Sequence, residues 1–204
     1  MSKITERALE SAFIELLNEK PINKITISEI TDKCGVSRMT FYYHYDDIYD
    51  LLKEILMKAL MDIYDTMSPK SPWGSTTKKV FRYIKKNNKM FTNIYHSIGR
   101  EHLEEVICTN TKPLMDEYVA ESLKTTELTD EDREFLTSYY LSGMVAFALD
   151  WIVTGMEEDP DAVVSKMLLI IKHGVKSGGA ALKEAAKKAE DRELKKKQRK
   201  KRAE

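Results

Sequence analysis

The 204 residues are enough to bury one large core or two small ones, and 32% charged with 42% hydrophobic residues is an ordinary water-soluble composition. Only 8 Gly and 5 Pro disfavour a turn-rich β fold, and the lack of any run near 18 consecutive apolar residues argues against a membrane span. The zero net charge hides an asymmetry: Lys183 to Glu204 carries 11 Lys or Arg against 5 Asp or Glu, while the first fifty residues carry 6 against 9.

In chain order, Leu9, Phe13, Leu16 and Leu17 share one helical face, so residues 3–18 form an expected first helix. Pro21 ends it, because proline disfavours helix in the residue before it. A short second helix is expected from about Ser28 to Cys34, closed by Gly35 in a left-handed cap. Ser37 then caps a brief aromatic helix, Arg38 to His44, and Asp46-Asp47 offers the next cap. The fourth helix has the clearest periodicity, with Ile48, Leu51, Leu52, Ile55, Leu56, Ala59, Leu60, Ile63 and Met67 at three- and four-residue steps.

Ser68-Pro69-Lys70-Ser71-Pro72-Trp73-Gly74-Ser75 is rich in Pro, Gly and Ser, and a domain boundary is expected there. Helices follow at about 76–88, 90–98, 101–109, 112–124, 130–156 and 160–180. Thr129 with Asp132 resembles a capping box, and Asp159-Pro160 places a cap before a first-turn proline. Residues 181–204 form a basic tail of Ala, Lys, Glu and Arg that either extends the last helix or frays. The expected division is 1–47, a connecting helix 48–67, a body 76–180 and the tail.

Two short helices joined by a tight Gly-containing turn make a helix-turn-helix, whose second helix fits the DNA major groove. Ile27, Ile30, Val36, Phe41 and Tyr45 supply its apolar inside, leaving Ser37, Arg38, Met39, Thr40, Tyr42, Tyr43 and His44 for the groove. That surface lacks carboxylates, which a phosphate backbone requires, although the first fifty residues sum to −3.

The run Gly35-Val36-Ser37-x-x-Thr40-Phe41-Tyr42-Tyr43-His44-Tyr45, followed by Leu51-Leu52 and lying within the first fifty or so residues, resembles the TetR family of bacterial regulators. The resemblance covers roughly residues 5–60. It implies an all-α homodimer, with a three-helix DNA-binding head joined by a long fourth helix to a helical ligand-binding and dimerisation domain. By the same resemblance, Thr40, Tyr42 and His44 would hold phosphates, while Ser37, Arg38, Met39 and Tyr43 would face base edges. Ser28 would approach DNA from the second helix, with Thr26 at its start also counted among the DNA-binding residues. Arg38 is the strongest candidate for direct readout, since bidentate Arg to guanine is the commonest specific contact. Ile48 departs from the Lys that the family usually places there.

In the rear domain, the helix bearing Phe135, Tyr139, Tyr140, Gly143, Phe147 and Trp151 and the one bearing Met167, Ile171 and Gly174 have faces suited to pairing. Expected dimer residues are Tyr140, Gly143, Phe147, Met167, Ile171 and Gly174. Expected effector-pocket residues are Tyr83, Phe91, Tyr95, His96, Met115, Tyr118, Phe147 and Trp151. The expected partners are double-stranded DNA with a palindromic operator, a second copy of the chain, and a small-molecule effector or a partner protein, with no membrane.

An enzyme is disfavoured: the chain has no Gly-x-Ser-x-Gly elbow, Gly-rich phosphate loop or His-x-x-x-His pair. Cys34 and Cys108 make neither a disulfide framework nor a metal set, and no metal or cofactor is expected. The opening residues Met1 to Glu6 lack a signal-peptide apolar core, so a reducing cytoplasm is the expected compartment. The functional expectation is a sequence-specific transcriptional regulator, a repressor released by a small effector. The alternative is a regulator, repressor or activator, that answers to a partner protein and has no small-molecule pocket.

Overall fold

The computed structural model describes residues 3–65 and 73–201, and among these every regular element is helical. The order is α1 Lys3–Glu19, a 3-10 turn Ile22–Lys24, α2 Ile27–Cys34, α3 Arg38–His44, α4 Ile48–Asp65, α5 Trp73–Lys86, α6 Asn88–Ile98, α7 Arg100–Ser122, α8 Asp130–Val153 and α9 Pro160–Lys201. The chain is all-α, as its composition implies. Most of the expected boundary at 68–75 lies outside the described residues; its last three residues already belong to α5.

Two compact units form, Met1–Glu105 with Phe147–Val164, and Val106–Ala146 with Ser165–Glu204. The first unit reaches past the head because Met90 and Ile94 of α6 sit in the same core as Leu9, Phe13 and Leu17 of α1, Ile30, Phe41 and Leu51. Polar bonds reinforce the join: Asn93 Nδ2 donates to the Leu17 carbonyl at 2.7 Å, and Ile22 N–H donates to Ser97 Oγ at 2.8 Å. No local pattern announces such pairings, since each spans more than seventy residues.

Caps fix most of the helix starts. Asp159 accepts from Ala162 N–H at 2.9 Å ahead of Pro160, and Thr129 Oγ1 accepts from Asp132 N–H at 3.1 Å. The two helices expected at 101–109 and 112–124 are instead one, α7, with Pro113 inside it. Proline there deprives the Thr109 carbonyl of its N–H partner. Pro113 is exposed, where water can serve the freed carbonyl, and the ion pair Lys112–Asp116 at 2.9 Å bridges the turn that contains it.

By length and composition α8 is apolar enough to cross a bilayer. Its apolar residues have another use: Leu136, Leu141, Val145 and Leu149 recur every four or five positions and are buried inside the protein. Helix α9 pairs with α8 through small residues. A Cβ on Gly178 would lie 3.0 Å from Leu136 Cδ2. Past Leu182, α9 continues to Lys201 with every side chain from 183 to 199 exposed, so the basic tail extends the helix.

Candidate nucleic-acid interface

Helix α2 begins with a reciprocal capping box. Thr26 Oγ1 accepts from Glu29 N–H at 3.3 Å, and Glu29 Oε2 accepts from Thr26 N–H at 2.9 Å. Glu29 is also ion-paired to Lys20. The Lys20 contact foremost, then the bonds from Thr26, lower its carboxyl to about 2. Thr26 is therefore engaged locally.

At the other end of α2, Gly35 takes φ +67, its N–H donates to the Asp32 carbonyl, and Val36 N–H donates to the Thr31 carbonyl at 3.0 Å. This closure turns the chain sharply. Ser37 then caps α3, accepting from Thr40 N–H at 3.2 Å, and the two hydroxyls lie 2.9 Å apart. The turn is anchored to α1 by Cys34 Sγ–H donating to the Ala8 carbonyl at 3.2 Å and by Lys33 on Glu15 at 2.9 Å. Burial pushes the Cys34 thiol up, which suits a packing role over a reactive one.

The seven residues of α3 divide cleanly between two sides. Phe41 and the following Tyr45 are buried, their rings 5.7 Å apart, while Met39 is 78% exposed, Tyr43 68% and Tyr42 49%. Arg38 is exposed in the first turn, with no ion pair among the described residues. The helix thus presents a guanidinium, two phenols and a thioether outward, and Ser28 stands half-buried on α2. No carboxylate lies on α3.

One predicted DNA contact is not where sequence places it. The His44 side chain is 7% exposed and turned inward, its Nδ1 3.5 Å from Glu6 Oε1, and its Nε2 is buried without a hydrogen-bond partner. It lines a cavity of about 270 Å³ with Glu6, Tyr45, Asp50, Glu54 and Lys58. At the end of a helix whose next residue packs inward, the imidazole follows the buried side and not the groove side. Three adjacent aromatic residues cannot all share one face, and here the third is the one that turns in.

Two family models match the chain, one described as bacterial regulatory proteins of the tetR family over residues 11–55 and one as a transcriptional regulator C-terminal region over residues 71–173. The chain belongs to the TetR family of transcriptional regulators.

This TetR-family regulator is 21% identical over 175 residues to the HTH-type dhaKLM operon transcriptional activator DhaS of Lactococcus lactis, covering 84% of this chain and 92% of that one. It is 28% identical over 170 residues to the uncharacterised HTH-type transcriptional regulator YxbF of Bacillus subtilis, covering 81% of this chain but only 43% of that relative. Among solved structures, DhaS superposes with a TM-score of 0.70 at 19% identity, covering 86% of this chain and 98% of that one. NalD, the secondary repressor of the MexAB-OprM multidrug efflux pump in Pseudomonas aeruginosa, gives 0.59 at 18% identity over 85% and 98%. The solved structures show the shared fold, and the family gives the class, a DNA-binding and non-enzymatic one.

Ile48, at the position where the family usually has Lys, packs half-buried against the head core. Just before it, Asp47 Oδ1 accepts from the amides of Tyr49 and Asp50 at 2.8 and 2.9 Å. Two of the donors that a phosphate would need at the α4 N-terminus are thereby occupied by a carboxylate. Tyr49 is exposed at 47% in that first turn.

The expected pocket residues fall in both units. In the first, Trp151 is 2% exposed and stacks on Phe81 with centroids 5.1 Å apart, Tyr83 meets Phe91 edge-on at 6.0 Å, and Tyr95 meets His96 at 5.7 Å. Burial raises the Tyr83 phenol. In the second, Met115 is fully buried and Tyr118 half-buried. Of the expected dimer residues, Gly143 and Phe147 are exposed, Tyr140, Met167 and Gly174 half-buried, and Ile171 buried.

Proposed function

We propose that two copies of the chain pair, and that each inserts α3 into successive major grooves of a palindromic operator in the cytoplasm. The exposed outer side of α3, held by the buried Phe41 and Tyr45 and carrying Arg38 with no ion pair among the described residues, is the observation that supports this reading. Ser37, Arg38, Met39 and Tyr43 face base edges in this proposal, and Thr40 and Tyr42 the backbone. Pairing follows from geometry, because two half-sites one helical turn apart, about 34 Å, need two recognition helices on one body.

The test is a gel-shift titration on palindromic DNA, repeated with Arg38→Ala. Loss of about 1–3 kcal/mol, with relaxed preference at one base pair, supports direct readout. An identical shift with any sequence of equal length would overturn it.

How operator binding is switched admits a small effector or a partner protein. The packing of Trp151 on Phe81 in one unit and the full burial of Met115 in the other favour the partner protein, because these candidate pocket side chains are already taken up in packing within their own units. A relative named as an activator is consistent with that mode. If a protein-free filtrate of host metabolites releases the operator, the small-effector reading stands instead.

A further inference from the structure

Helix α9 holds a second charged surface that operator reading by α3 does not use. Between residues 183 and 199 every side chain is exposed, so this stretch is helix without tertiary burial. Local features sustain it. Ala185, Ala186 and Ala189 are strong helix formers, and ion pairs Glu184–Lys188 at 2.6 Å and Glu193–Lys196 at 2.9 Å run along it. Basic residues at its end also complement the negative pole of the helix dipole.

Charge is not spread evenly along this arm. Residues 183–193 hold four basic and four acidic side chains and balance. The whole surplus falls at the tip, in Leu194-Lys195-Lys196-Lys197-Gln198-Arg199-Lys200-Lys201. At about 100° per residue, the six basic positions there encircle the axis and leave no gap wider than about 120°. Lys195, Lys197 and Arg199 have no ion pair among the described residues.

A rod positive on all sides fits a polyelectrolyte better than a patterned protein surface. It also has no apolar face to insert into a lipid interface, Leu194 being its one large apolar residue. We propose that the tip of α9 is a sequence-independent binding arm for the phosphate backbone of duplex DNA. It supplements a head whose first fifty residues sum to −3 and whose α4 N-terminal amides are taken by Asp47. Phosphate contacts of this kind add affinity and not specificity.

The experiment compares the full-length protein with a K195Q/K196Q/K197Q/R199Q variant on a duplex of random sequence, over a range of salt. These residues lie outside all packing, and circular dichroism and the thermal midpoint verify that the variant folds. The expected result is a several-fold weaker grip on random duplex. The slope of log affinity against log salt should also be shallower by at least about 2, since each neutralised phosphate contributes about 0.9. An unchanged slope overturns the proposal. So does loss of cosedimentation with vesicles containing phosphatidylserine while the DNA titration is unaltered, which would make the arm a membrane anchor. The readout needs no operator, so failure here is separable from failure of the operator reading.

Discussion

The phenol of Tyr140 lies over the backbone of Gly174: a Cβ added there would sit 2.3 Å from the hydroxyl oxygen and 2.8 Å from Cζ. Residues 140 and 174 are both expected dimer contacts from sequence, and within one subunit they pack against each other. Alanine at 174 would gain about 1 kcal/mol of helix propensity, and it would force a rigid ring off its site at about 1–3 kcal/mol. Gly174→Ala is therefore expected to destabilise, and to become neutral or stabilising once Tyr140→Ala has removed the ring. A double-mutant cycle in urea measures this, and additive effects would show the contact to be absent in solution.

The lesson extends to what the sequence displayed. Starts of α3, α4, α8 and α9 were legible because Ser37, Asp47, Thr129 and Asp159 are caps, whose chemistry is local. The α3 face was legible because Gly35 and Phe41 fix its orientation within ten residues. By contrast, α6 joins the head core through Met90 and Ile94, and that outcome depends on partners distant in the chain. The inward turn of His44 depends on Glu6 and on the space beside α4, neither of which a motif encodes.

Glu29 gives a pH signature. Its carboxyl is lowered from the usual value near 4.5 to about 2 by Lys20 and Thr26. A depressed folded value means stabilisation that is complete above about 4.5 and lost as pH falls toward 2. Glu29→Gln keeps a carbonyl able to accept from Thr26 N–H but removes the charge. The difference in thermal midpoint between wild type and this variant is expected to be largest at neutral pH and to shrink steadily through that window. A difference independent of pH from 7 to 2.5 would mean the carboxylate is not specially held.

His44→Phe separates a structural histidine from a phosphate ligand. The ring is inward and Nε2 lacks a partner, so phenylalanine of similar shape removes a buried polar atom that has nothing to bond. Stability should hold or rise by up to about 1 kcal/mol, and operator affinity should stay within about threefold at fixed salt. Tyr42→Phe, on the exposed side of α3, should weaken binding more. Should His44→Phe instead lose tenfold in anisotropy titrations while remaining folded, the imidazole must swing out to meet DNA.

Pairing of subunits is testable at Leu169 and Ile170, adjacent on α9 and 60% and 67% exposed. On α8 of the same unit, Phe135 and Tyr139 are exposed at 60% and 64%, with their rings stacked at 6.2 Å. Large apolar side chains left this open on two neighbouring helices are what the proposed pairing would cover. Introducing Leu169→Glu and Ile170→Glu removes no buried contact, so each subunit should fold with a nearly unchanged thermal midpoint. Light scattering should then report a monomer, and operator affinity should collapse because one short recognition helix with few phosphate contacts holds DNA weakly. A variant that stays dimeric would move the interface off this face of α9, and one that is monomeric yet binds the full operator unchanged would end the two-headed reading of α3.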